Sequence, residues 1–150
     1  MSNPSGARFK GTHSYNVLHD IEPTKNDLQS LLAEAKTHFP QFRLEIIIVG
    51  YTGRNMPELA TWQNIVVRGK YAHLITINMR EMQSRLDCYE AILHELVHAW
   101  QFEQNPLCTD HDENFLRWVV YFGKLGYNIS CPDFTVEQLE QAFNTTRKVA

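Results

Sequence analysis

The sequence predicts an α+β domain in which a small sheet of about three strands packs against one long helix and further helices. Three observations carry that expectation: a helical pattern from about Asp87 to Gln104, the β-branched run Ile46-Ile47-Ile48-Val49, and two more strand patterns flanking Gly69-Lys70. The 150 residues, 43% of them hydrophobic, suit one globular domain with its own core. Residues 1–15 are polar and carry Pro4, Gly6 and Gly11, so they are expected to form a flexible N-terminal segment, with the domain itself at 16–150.

The elements follow in order. Thr24-Lys25-Asn26-Asp27 has the polar pattern of a helix start, and Leu28, Leu31, Leu32 and Ala35 recur at helical spacing before Pro40 ends the helix. Phe42 to Val49 reads as a strand, and its four consecutive apolar residues predict burial on both faces. After a turn-rich stretch from Tyr51 to Pro57, Trp62 to Arg68 and Tyr71 to Asn78 form a predicted hairpin across Gly69-Lys70. In the long helix, Tyr89, Ile92, Leu93, Leu96 and Trp100 share one side, and Asn105-Pro106 breaks it. Phe115, Trp118, Val119 and Phe122 then mark a further helix that ends near Gly123 or Gly126. Thr135-Val136-Glu137-Gln138 has the capping pattern of a final short helix carrying Leu139 and Phe143. Repeats and low-complexity segments are absent.

The long helix contains His94-Glu95-Leu96-Val97-His98, an H-E-x-x-H motif. Four residues of helix rotate by about 400°, so both histidines project from one face a turn apart and can share a Zn²⁺. Glu95, offset around the helix, reaches a metal-bound water rather than the metal, which is the place of a general base. A catalytic zinc needs three protein ligands and an open fourth position. His111 stands at the start of the next helix, which can fold back on the first. Glu113, Asp110, Asp112 and Cys108 are its competitors for the third position.

His94-Glu95-Leu96-Val97-His98, the twelve-residue gap to His111 and the following Phe115 resemble the SprT-like zinc metallopeptidases, the group that includes Spartan. The resemblance extends upstream to Gly69–Asn78, similar to the strand before that family's active-site helix, and downstream through Gly126–Ser130. It implies a minimal zincin-like fold, with His94, His98 and His111 as zinc ligands and Glu95 as the catalytic residue. Two departures stand out. Relatives commonly carry glycine directly after the third histidine, where this chain has Asp112, a candidate helix cap or acceptor beside the ligands. Many relatives also append zinc-ribbon or DNA-binding segments, which nothing here resembles, so crosslink repair does not carry over with the fold.

The implied activity is that of a zinc metalloendopeptidase acting on a protein or peptide substrate, with Glu95 activating a metal-bound water. Ala72 to Asn78 is the expected border of the cleft, along which an extended peptide can add as a strand. His73 on that strand either faces the cleft or sits on the strand surface. Tyr121 and Tyr127 are the hydroxyls available to a developing oxyanion, though core packing is the commoner fate of such rings. Two other functions compete: a non-catalytic binding module whose zinc only ties two helices together, and a DNA-associated protease acting on DNA-bound proteins.

Composition bears on these alternatives. The net charge of −3 and pI near 6.1 give no general attraction to DNA or to an anionic membrane. Arg68, Lys70, Arg80 and Arg85 fall close together, as groove-lining or scattered solvated charge. A membrane-spanning apolar run is lacking, and the first residues lack the apolar segment of a secretory signal. Cys88, Cys108 and Cys131 are odd in number with no C-x-x-C pair, which argues for reduced thiols and a cytoplasmic setting.

Overall fold

Local chemistry at the helix starts organises the fold seen in a computed structural model, which describes residues 23–130 and Gln141. The expected flexible segment at 1–15 and the helix at Thr135 lie outside the described residues. Helix α1 spans Asp27–Lys36, where Asp27 Oδ2 accepts from the backbone N of Thr24 at 2.8 Å. The stripe Leu28, Leu31, Leu32 and Ala35 is buried, as its spacing requires. Strands β1 (Glu45–Tyr51), β2 (Ala60–Val67) and β3 (Lys70–Asn78) follow, then a single 3₁₀ turn at Met79–Glu81.

Helix α2, Arg85–Gln104, starts two residues before the expected Asp87 because Ser84 caps it: Ser84 Oγ accepts from Asp87 N at 3.1 Å, and Asp87 Oδ2 accepts from Gln83 N at 3.1 Å. It ends at Asn105, ahead of Pro106. Helix α3, Glu113–Lys124, is capped by Asp112, whose Oδ1 accepts from Phe115 N at 3.0 Å. Gly126 at φ 97° turns the chain out of α3, a left-handed conformation that glycine adopts without a Cβ clash. The described residues thus form a small α+β fold of three helices and a three-stranded mixed sheet.

The sheet order is β1-β3-β2, with β1 parallel and β2 antiparallel to β3. Two expectations are corrected here. Ala72–Asn78 does not border the cleft: β3 is the central strand, paired on both sides and buried over most of its length. The border is β2, whose Ala60, Thr61 and Trp62 line the cleft. Nor is β1 buried on both faces; only Ile48 is fully buried and Val49 is 41% exposed. An apolar run marks a strand, but its neighbours decide whether it lies inside. The β2–β3 hairpin turns through Arg68 (φ 53°) and Gly69 (φ 78°), the two positive φ values of a type I′ turn.

The core lies between the sheet, α1 and α2, with Ile75, Ile77, Tyr89, Ile92, Leu93 and Leu96 fully enclosed. Helix α3 closes the far side of α2 through Phe115 and Phe122. Among the described residues, no helix is long and apolar enough to cross a membrane.

Candidate metal centre

His94 and His98 project one turn apart from α2, and α3 folds back so that His111, just before its cap, meets them. His98 Nε2 lies 3.1 Å from His111 Nε2, which lies 3.3 Å from His94 Nε2. Three vertices of a tetrahedron around Zn²⁺ at about 2.0–2.1 Å stand about 3.3 Å apart, so the spacing fits such an ion. Phe115, completely buried, is the floor of the site, with its ring 4.7, 4.9 and 4.7 Å from those of His94, His98 and His111. These three histidines are the one group of metal-capable side chains among the described residues. None of Asp110, Asp112, Glu113 and Cys108 joins them.

Proton placement also fits a cation. His94 Nδ1 lies 3.1 Å from the carbonyl oxygen of Ile129, which can only accept, so Nδ1–H donates and Nε2 keeps its lone pair. His98 Nδ1 lies 3.0 Å from Gln101 Oε1. The Gln101 NH₂ group donates to Asp110 O at 2.8 Å and to Asp112 Oδ1 at 3.0 Å, which fixes the amide orientation. His98 Nδ1–H therefore donates too. Lone pairs from two helix histidines converge, an arrangement that a cation satisfies and a third imidazole alone does not.

Burial pushes His94 down to about 4, partly countered by the Ile129 hydrogen bond, and burial also lowers His98. Both rings are thus neutral near pH 7, the ligating form. Glu95 is 7% exposed, and among the described residues no hydrogen bond supports its carboxylate. Burial, with the Glu58 carboxylate adding to it, pushes Glu95 up to about 8. A divalent cation at the imidazoles acts in the opposite sense.

The histidines and Glu95 open onto a cavity of about 850 Å³ between β2 and the start of α2. Its wall includes Trp62, tilted over the His98 ring at 6.3 Å. Glu58, Glu81, Asp87 and Glu90 also line it, and no Lys or Arg does among the described residues. Arg68, Lys70, Arg80 and Arg85 are all absent from this lining, and Arg85 is paired with Asp27 at 3.1 Å. Tyr121 and Tyr127 are absent too: Tyr127 packs on Tyr89, and Tyr121 sits by Trp118.

His73 takes neither expected place. It is fully buried, accepting from Trp62 Nε1 at 3.0 Å through Nδ1 and donating from Nε2 to Glu103 Oε2 at 2.8 Å. Burial pushes the Glu103 carboxyl up, but hydrogen bonds from Arg43 N, His73 and Leu44 N together reverse it, leaving Glu103 below its ordinary value. This chain of contacts holds the Trp62 indole at the cleft wall.

Sequence reasoning missed Gln101, the Ile129 carbonyl and the Trp62–His73–Glu103 chain. Gln101 did leave a signal, since three residues after His98 is the same helix face. Ile129 left none, because a carbonyl 35 residues from His94 is brought there only by the fold. No family model, curated protein or solved structure matches the chain.

Proposed function

We propose that the chain is a zinc-dependent metalloendopeptidase of the SprT-like, zincin type, with His94, His98 and His111 holding the metal and Glu95 as general base. The observation that supports this most is the pairing of three converging Nε2 atoms with a buried carboxylate that has no hydrogen bond among the described residues, all facing one cavity. A zinc that merely tied α2 to α3 would have no use for Glu95.

When bound, Zn²⁺ polarises a carbonyl and lowers the pKa of a coordinated water toward roughly 7. The chain's own groups do the rest. Glu95 takes a proton from water in the cleft and returns it to the leaving amine nitrogen. The edge of β2 at Ala60–Trp62 offers backbone groups to an extended peptide, in the manner of strand addition. Phe115 and Trp62 keep bulk water from the imidazoles, and the Ile129 carbonyl and Gln101 hold two rings in the ligating tautomer.

Metal analysis paired with activity on an unfolded protein tests the reading. Glu95→Gln is expected to keep about one zinc per chain and lose at least a hundredfold in hydrolysis. His98→Ala is expected to lose both metal and activity. Hydrolysis surviving in Glu95→Gln, or a purified wild-type protein that takes up no zinc, would overturn it.

A further inference from the structure

One side chain touches both elements that bring the histidines together. Gln101 is 2% exposed, a polar group that must find partners where it lies, and it finds three. Its Oε1 faces His98 Nδ1 at 3.0 Å, while its Nε2 reaches Asp110 O at 2.8 Å and Asp112 Oδ1 at 3.0 Å. Those two acceptors flank His111 in the chain. Asp112 Oδ1 in turn accepts from Phe115 N at 3.0 Å, so the same carboxylate oxygen starts α3 and receives Gln101. Turning the amide over would set its oxygen against two acceptors and its NH₂ against His98, so only one orientation pairs every atom.

We propose that Gln101 is the positioning residue that preorganises this centre: its oxygen orients His98, and its NH₂ group holds the loop that delivers His111. The proposal rests on the metal-centre reading above and adds to it a residue that touches neither metal nor substrate. One amide, with two functional ends, does what two separate partners would otherwise do. A third ligand held in place before the ion arrives need not be ordered at the moment of binding, so affinity rises. An ionised carboxylate can replace only half of this, since it accepts from His98 and has nothing to donate to Asp110 or Asp112.

The test compares wild type with Gln101→Met and Gln101→Glu in the full chain. Zinc affinity is measured by competition with a chromophoric chelator, and the His98 Nδ1–H signal is followed in ¹⁵N-histidine spectra of the metal-free protein. Gln101→Met is expected to weaken zinc binding about 10–100-fold and to abolish the protected His98 signal. Gln101→Glu is expected to keep that signal while still binding zinc more weakly than wild type, because His111 is released. Wild-type affinity in both variants, or a His98 signal indifferent to Gln101→Met, overturns the proposal. Should Gln101→Met not fold, the two readouts of Gln101→Glu decide alone. Failure of the metal reading looks different: the wild-type protein would then bind no zinc, whatever stands at 101.

Discussion

Four imidazoles, those of His38, His73, His94 and His98, are held below their ordinary pKa chiefly by burial, His94 as far as about 4. In the unfolded chain each protonates near 6.5, while in the folded chain each stays neutral to lower pH. The unfolded state then binds more protons, so this contribution to stability falls as pH drops below about 6.5. Glu95 works the other way. With its carboxyl raised to about 8 by burial, the folded protein retains a proton that the unfolded chain has lost, so its contribution is lost as pH rises from about 4.5 to 8. Metal-free Glu95→Gln, which lacks the opposing carboxyl, is therefore expected to lose stability between about pH 7.5 and pH 5.5. The metal-free wild type is expected to lose less. Urea midpoints at the two pH values measure both, and an equal or larger loss in the wild type would contradict the assignment.

At the scale of elements, the hairpin of β2 and β3 carries an avoidable strain. Arg68 sits at φ 53°, where most side chains are disfavoured and asparagine, whose short amide bonds locally, or glycine is at home. Arg68→Asn would create the Asn-Gly pair that type I′ turns prefer, and Arg68 is exposed, with no part in the cleft. The variant is expected to gain roughly 0.5–1 kcal/mol, seen as a higher melting temperature with unchanged zinc affinity. A lower melting temperature would mean that the turn is not of this type. The hairpin matters to the site because β2, which it carries, is the strand that borders the cleft, and Trp62 on β2 stands over His98.

For the whole molecule, the field of the cleft matters more than the overall charge of −3. A bound Zn²⁺ and an ionised Glu95 leave one positive charge at the centre, while Glu58, Glu81, Asp87 and Glu90 surround it with four negative ones. Among the described residues those four do not come together as a metal-capable group, so they act as a spread field. Under the proposed peptidase reading, peptides with lysine or arginine flanking the cleaved bond are expected to be cut with a kcat/KM roughly three- to tenfold above glutamate-bearing counterparts. The advantage is expected to shrink at high salt, as screening of exposed charge requires. Matched peptide pairs assayed at two ionic strengths check this, and equal rates for both members would refute it. The same carboxylates repel nucleic-acid phosphates from the cleft, which weighs against the DNA-associated alternative.

Much of this was legible in the chain itself. The stripe Leu28, Leu31, Leu32 and Ala35, the break before Pro106, the hairpin at Gly69 and the spacing of His94, His98 and His111 are local patterns, written in the 3.6- and 2-residue periods of the backbone, whereas α1 stops at Lys36, short of the expected Pro40. Local patterns cannot say which strand lies inside a sheet, because a strand's own backbone is the same at the edge and in the middle. Ile46 to Val49 therefore looked central, and β3 looked like a border, until pairing on both sides of β3 decided otherwise. The groups that tune the histidines lie as far beyond reach. Ile129, Glu103 and Arg43 meet their partners across 30 to 60 residues of chain, where only packing of the finished core brings a buried polar atom to the acceptor it requires. The histidine triad belonged to the sequence; its tautomers, its floor and its cleft belonged to the fold.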